Sequence, residues 1–261
     1  MIRRVTDTKT VEHLFGAWKE TMIRSCLQGI MGEIYAKPSE DPLSAMAILG
    51  DFIFLAGVPD KEFVSYRPDW YKQDFTIMVP QHDEWGKLIK QCYKEKTKKV
   101  IRYAVKKEPH AFDTKRLKSA LSTLPEEYEI KMIDETIYRK CKAADWSRDL
   151  VSQFENYELY HRLGLGVAIL KDEEIVSGAS SYSRYRDGIE IEIDTQERYR
   201  RKGFAYLCGA KLILECLDRN LYPSWDAQNT GSLALAEKLG YHLDHAYPAY
   251  EIPAIPFSDA P

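Results

Sequence analysis

No two of the five cysteines (Cys26, Cys92, Cys141, Cys208 and Cys216) stand at Cys-x-x-Cys spacing, and their number is odd. Neither a cysteine zinc site nor a disulfide framework is indicated, which fits a reduced cytoplasm. Long apolar runs are missing as well. Nothing approaches the roughly 18–20 residues that a membrane helix needs, and Met1-Ile2-Arg3-Arg4-Val5-Thr6-Asp7 lacks the apolar stretch of a secretory signal. Neither sign of charge dominates: 37 Lys+Arg stand against 40 Asp+Glu, a net charge of −3. Whole-chain electrostatics therefore give no reason to expect a nucleic-acid or membrane partner. Of six histidines only His242 and His245 are close, and i and i+3 on a strand face opposite sides. No metal is expected.

Hydrophobic residues make up 44% of the 261 and aromatics 12%, enough for a packed core and against disorder. The length allows one large domain or two of roughly 100–150 residues. Val11, Leu14, Phe15 and Trp18 recur at helical period. Phe52–Ala56 and Phe75–Val79 read as strands, and residues 83–96 as a helix with Trp85, Leu88, Ile89, Cys92 and Tyr93 on one side. Val100–Val105 is a strand, Asp113 caps a helix carrying Leu117, Ala120, Leu121 and Leu124, and Tyr128–Ile133 is the next strand.

The C-terminal part repeats the alternation. Leu165–Leu170, Ile175–Tyr185 and Ile189–Asp194 read as strands, joined through Lys171-Asp172-Glu173-Glu174 and through Asp187-Gly188. A helix runs from Gly203 to about Arg219, Leu221–Trp225 is a short strand, and Ser232–Leu239 is a helix stopped by Gly240. Tyr241–Tyr250 closes the pattern. Either an ancient duplication or the commonness of α/β alternation accounts for the shared order.

The strongest chemical signal is Glu197-Arg198-Tyr199-Arg200-Arg201-Lys202-Gly203-Phe204-Ala205, between a strand and a helix. A helix N-terminus offers converging backbone N–H groups and its positive dipole end to a phosphate. Gly203 allows close approach, and Arg200, Arg201 and Lys202 add charge. The alternative is a basic segment that is simply solvated.

Arg-x-x-Gly-x-Ala after a strand resembles the pyrophosphate motif of the GNAT acetyltransferase superfamily, Gln/Arg-x-x-Gly-x-Gly/Ala. Twenty-nine residues beyond Arg200, Asn229-Thr230-Gly231-Ser232 opens a stretch ending Lys238-Leu239-Gly240-Tyr241. It is similar to the family's Asn-x-x-Ala/Ser helix ending in Lys-Leu-Gly-Phe/Tyr. Trp225–Asn229 and Glu190-Ile191-x-Ile193-x-Thr195 further resemble a bacterial branch that includes a zwittermicin-resistance acetyltransferase. The resemblance covers about residues 126–251.

It implies an α/β fold: a mixed, mostly antiparallel twisted sheet with helices on both faces. Residues 126–261 would form the acetyltransferase domain, and residues 1–125 an α/β domain that is either a degenerate copy or a separate unit. It implies acetyl-CoA as cosubstrate, its pyrophosphate held by backbone amides from Arg201 to Ala205. Ile193 and Thr195 would bond the pantetheine arm through their main chain, and Asn229 and Ser232 would contact the cofactor near the thiol end. The reaction would be direct acetyl transfer to a primary amine of a small molecule, needing a base, oxyanion donors and an acid.

Glu190 and Glu192 share one strand face and are the candidate bases, with Glu190 preferred. Strict parity puts the family's usual positions nearer Ile189 and Ile191, and a bulge would reset it. Where many members carry a tyrosine this chain has Ala236, which cannot donate a proton. Tyr241, Tyr247, Tyr250 or water are the substitutes, and none is assigned. Ala236 and the open question of the base also motivate a rival reading, a non-catalytic acyl-CoA-binding or regulatory module.

Residues 87–118 hold twelve Lys/Arg against three acids. They suit a patch for RNA, acidic protein or the CoA adenosine phosphate, or else a solvated helix face. Trp146, Phe154, Tyr157 and Tyr160 precede the first strand of the GNAT-like part, where the family lines its acceptor pocket; packing in the core is the default reading for such aromatics. Val79-Pro80-Gln81-His82-Asp83 would be the phosphate loop of an N-terminal copy, and without glycine or arginine it is expected to bind no acetyl-CoA. The first domain would then shape the acceptor site or form a homodimer.

Overall fold

The apolar stripe at Val11, Leu14, Phe15 and Trp18 does not form one helix. Gly16, at φ 52°, ends α1 (Glu12–Phe15) after four residues, and the chain re-enters a helix only at α2 (Thr21–Leu27). This is the start of the computed structural model, which describes residues 1–253.

The chain divides into two units, Met1–Arg102 with the segment from Ala246 onward, and Tyr103–His245. The division falls inside two strands, β6 (Lys98–Val105) and β13 (Leu243–Pro253), where the sequence had suggested a single boundary at 125/126.

In the first unit β1 (Arg3–Arg4), β2 (Glu33–Ala36), β3 (Ser44–Leu49) and β4 (Phe52–Gly57) pair antiparallel in sequence order. After the short α3 (Lys61–Ser65), β5 (Phe75–Pro80) lies parallel to β4 and antiparallel to β13. Every residue of β3 is buried, so its sequence, Ser-Ala-Met-Ala-Ile-Leu, carries no polar alternation. The helix expected near 83–96 is α4 (Asp83–Tyr93), and it delivers Trp85, Ile89 and Tyr93 to the core.

The second unit holds a five-stranded sheet. Its strands are β7 (Glu129–Met132), β8 (Gly166–Lys171), β9 (Glu174–Tyr185), β10 (Gly188–Thr195) and β11 (Tyr222–Ser224), in spatial order β11-β10-β9-β8-β7. All neighbours are antiparallel except β10 and β11. The two hairpins follow from turn chemistry, with Asp172 and Glu173 taking φ 48° and 64° between β8 and β9. α5 (Thr114–Leu121) is capped as expected, Asp113 Oδ1 accepting from Arg116 N at 3.0 Å.

On one sheet face α8 (Phe204–Asp218) buries Leu207, Cys208, Ala210, Ile213 and Cys216 against Val167, Ile169, Ile189 and Ile191. On the other lie α6 (Glu135–Ala143), the turn Arg148–Leu150 and α7 (Tyr157–Leu163), which the strand periodicity does not reveal. The Tyr160 hydroxyl meets Ser180 Oγ of β9 at 2.9 Å. The two-residue strand β12 (Asp226–Ala227) pairs with Tyr103 and Ala104, and α9 (Thr230–Leu239) ends at Gly240 with φ 116°.

Both units share one succession: three antiparallel strands, a helix, then a strand parallel to the third. It reads β2-β3-β4-α3-β5 in one and β8-β9-β10-α8-β11 in the other. The first unit's counterpart to the β10–α8 connection is therefore Val58-Pro59-Asp60. The loop at residues 79–83, singled out from the sequence, instead joins β5 to α4.

Candidate functional site

β10 and β11 pair only over Gly188↔Tyr222, Ile189↔Pro223 and Glu190↔Ser224. The main chain from Ile191 to Thr195 continues beyond this last pair, so Ile193 and Thr195 lie where β11 no longer accompanies β10.

The ladder between β9 and β10 changes register at the same level. Glu190 opposes Ser183, and Ile191 opposes Ser181, so Tyr182 of β9 is the extra residue. β10 itself keeps strict alternation. Ile189 and Ile191 join the core under α8, and Glu190 and Glu192 point to the other face. A bulge is present, but it lies in β9 and does not bring Ile189 or Ile191 to the carboxylate face. Glu190 is 6% exposed and Glu192 half-buried. Burial raises the Asp194 carboxyl above its ordinary range, and Asp194 Oδ1 accepts from Thr195 N at 2.7 Å.

Past Thr195 the chain makes one 3-10 turn, Glu197–Tyr199, and then exposes Arg200, Arg201 and Lys202. Arg200 Nε donates to the Thr195 carbonyl at 3.2 Å. Arg201 is held at φ 63° and Gly203 at φ 86°, both left-handed. Such a backbone turns successive N–H groups into one concavity. α8 opens directly from Gly203 with no side-chain cap and no acidic residue in its first turn. Its leading N–H groups thus have neither an intrahelical acceptor nor a competing carboxylate. A Cβ built at Gly203 would meet nothing within 4 Å, so the space in front of the loop is open. Tyr128, Tyr199 and Phe204 support the loop from behind, with the Tyr128 and Phe204 centroids 4.6 Å apart.

Asn229 is the N-cap of α9, its Oδ1 accepting from Ser232 N at 2.9 Å. Trp225 Nε1 donates to Ser232 Oγ at 3.1 Å. Sequence reasoning placed Trp225 in a stretch resembling the family but gave its indole no role at Ser232. Ala236 is fully buried in the α8 core. Tyr241 is buried, and burial raises its phenol well above the ordinary value. Tyr247 and Tyr250 fall in the first unit with the segment from Ala246 onward.

The first-unit counterpart is built differently. Asp60 caps α3, its Oδ1 accepting from Glu62 N at 2.9 Å, and α3 has five residues. Lys37 Nζ reaches Asp60 at 2.5 Å and Glu62 at 2.9 Å.

Of the basic run at 87–118, Arg102 is buried with its guanidinium 4.9 Å from the Phe52 ring centroid, and Lys98 pairs with Glu251 at 2.9 Å. His242 and His245 pair with Glu108 and Asp244. Among the described residues there is no group of three or more His, Cys, Asp or Glu placed to hold a metal ion, and no helix is long and apolar enough to cross a membrane.

A family model described as GNAT acetyltransferase matches residues 12–250. That span includes the first unit, where the sequence shows no motif. The crystal structure of a GCN5-related N-acetyltransferase-like protein from Streptococcus suis is 46% identical, with a TM-score of 0.89, over 94% of this chain and 98% of that one. YdfB of Bacillus subtilis, described as an uncharacterized N-acetyltransferase, is 28% identical over 241 residues, 88% of this chain and 89% of its own. A tandem GNAT protein from the clavulanic acid biosynthesis pathway shares the fold at 8% identity and a TM-score of 0.56, covering 98% of this chain and 99% of its own.

Proposed function

The chain belongs to the GNAT acetyltransferase family, and on that premise we propose that it transfers an acetyl group from acetyl-CoA to a primary amine of a small molecule by direct attack. One observation carries the cofactor assignment. α8, fifteen residues long, starts uncapped at Gly203, behind three exposed cations and an open space. Backbone N–H groups from Arg201 to Ala205 hold the pyrophosphate, and Arg200 to Lys202 screen its charge. Ile193 and Thr195 receive the pantetheine arm on main chain that β11 has left. Asn229 and Ser232 flank it nearer the thiol.

Acetyl-CoA supplies the activated acyl group. Glu190 takes the proton from the acceptor ammonium, because a neutral amine is the nucleophile. Its burial beside the parting of β10 and β11 favours it over Glu192.

Among the described residues, the first unit is read as carrying no second cofactor site. At the corresponding turn a carboxylate already fills the helix N-terminus, and a phosphate there would meet Asp60 and Glu62.

Calorimetry with acetyl-CoA tests the reading on three proteins: the native chain, Gly203→Asn and Gly203→Asp. Asn tolerates left-handed backbone at least as well as Asp and is neutral. Micromolar binding that Asp abolishes and Asn only weakens assigns the site to the loop. A folded native chain that binds no acetyl-CoA overturns the proposal.

A further inference from the structure

Ser183 of β9 and Glu190 of β10 are directly opposed where the ladder changes register. Opposed residues of an antiparallel pair lie on one face, their Cβ atoms about 4.5–5.5 Å apart. Both are buried, Ser183 at 0% and Glu190 at 6% exposure. Ser183 Oγ is a buried hydroxyl with no hydrogen-bond partner. From the other side Ser224 of β11 opposes Glu190, and its hydroxyl is engaged with Tyr185 at 3.0 Å.

Burying an unpaired hydroxyl is unfavourable, and such groups persist where a role retains them. A serine hydroxyl reaches a neighbouring acceptor by changing one rotamer, and a charged carboxylate accepts several bonds at once.

We propose that Ser183 is a positioning residue for Glu190, donating its hydroxyl proton in a hydrogen bond to the charged carboxylate and so holding it ionised at the parting of β10 and β11. This rests on the reading of Glu190 as the base. Among the described residues, acids and phenols also stand near the carboxylate. Glu192 follows on the same face of β10, and Tyr185, Tyr222 and Tyr241 are phenols. Burial raises Tyr222 and Tyr241, and the charge of Glu190 raises them further. The turn Arg148–Leu150 packs near β10, but its Arg148 pairs with Asp145 at 2.5 Å, and Asp149 is a further acid. Arg184 opposes Ile189 and lies on the α8 face. Ser183 adds a hydroxyl donor to these surroundings.

The test is a carbon-13 carboxylate titration of the full chain, the Glu190 signal being assigned by its loss in Glu190→Gln. Removing a donor to the charged form raises a carboxyl pKa, here by about one unit. The Glu190 midpoint should rise by that amount in Ser183→Ala and return in Ser183→Thr, which restores the hydroxyl. An unchanged midpoint in a folded Ser183→Ala chain, or a rise that Thr does not reverse, overturns the proposal. Should Ser183→Ala fail to fold, Ser183→Cys, with a much weaker donor of similar size, takes its place in the same titration. The readout needs no acceptor, so it is separate from the base assignment. If Glu190→Gln leaves amine acetylation intact, the base reading fails while the titration still decides the Ser183–Glu190 bond. If acetylation proceeds through Glu190, Ser183→Ala should move the acid limb of kcat/KM to higher pH with the KM for acetyl-CoA unchanged.

Discussion

The Tyr241 hydroxyl donates to the Pro223 carbonyl oxygen at 2.5 Å, inside the core between Trp225 and Phe112. It therefore ties the segment between α9 and β13 to β11, and an acid role would require giving up this bond. Tyr241→Phe should lower stability by about 1–3 kcal/mol, since the Pro223 oxygen loses its donor in a buried place. Acetylation per folded molecule should stay within a few-fold of native. Urea unfolding and steady-state kinetics on the same preparation check both. A loss of kcat of a hundredfold or more at unchanged stability would return Tyr241 to the list of proton donors.

Asn229 caps α9 and is proposed to contact the cofactor, and substitution can separate the two. Asn229→Ala removes the α9 cap and should cost about 1 kcal/mol. Asn229→Asp keeps the cap oxygen but deletes the amide donor and adds a negative charge. Thermal unfolding should therefore report Asp close to native and Ala lower. Acetyl-CoA affinity should fall in both, by at least several-fold for Asp. Native affinity in Asn229→Asp would leave the residue as a cap alone.

Arg201 occupies the left-handed region at φ 63° without being glycine. Relieving that conformation in Arg201→Gly should raise stability by roughly 0.5–1 kcal/mol, offset in part by the freer unfolded chain. The same change removes a cation from the proposed phosphate loop, so acetyl-CoA should bind less tightly and with weaker salt dependence. Chemical denaturation and calorimetry at two salt concentrations make the comparison. Lower stability would show that the arginine side chain supports the fold.

On α8, Glu215 sits between Lys211 and Arg219. Burial pushes its carboxyl up, but hydrogen bonds from Lys211 and Arg219 outweigh this and hold it below the ordinary 4.5. A folded value below the unfolded one means that the stabilisation is present above pH 4.5 and is lost as the pH falls through the folded value. Glu215→Gln should therefore be less stable than native at pH 7 and approach it at acidic pH. Parallel acid-unfolding curves at constant offset would contradict this.

Much of the second unit was legible because its punctuation is local. Asp113, the Asp172–Glu173 turn and Gly240 each act through their own backbone neighbours. The family's matching residues, Arg200 to Ala205 and Asn229 to Ser232, fell on helix starts for the same reason. What stayed hidden depends on partners far along the chain. β3 is buried throughout and so shows no alternation, and the stripe at residues 11–18 continues in spacing across Gly16 although the backbone does not. Neither the extra residue Tyr182 nor the opposition of Ser183 to Glu190 is visible without the ladder. The division of the chain was obscured because residues 246 onward return to the first unit.

That return sets an order on synthesis. β5 receives its antiparallel neighbour only when residues 250–253, far beyond it in the chain, have left the ribosome. Until then the first unit must wait with one sheet margin bare, while residues 103–245 already contain every strand of their own sheet. The second unit can thus mature before the first is complete, so a ribosome that stops at His245 would release a finished five-stranded sheet attached to an aggregation-prone edge.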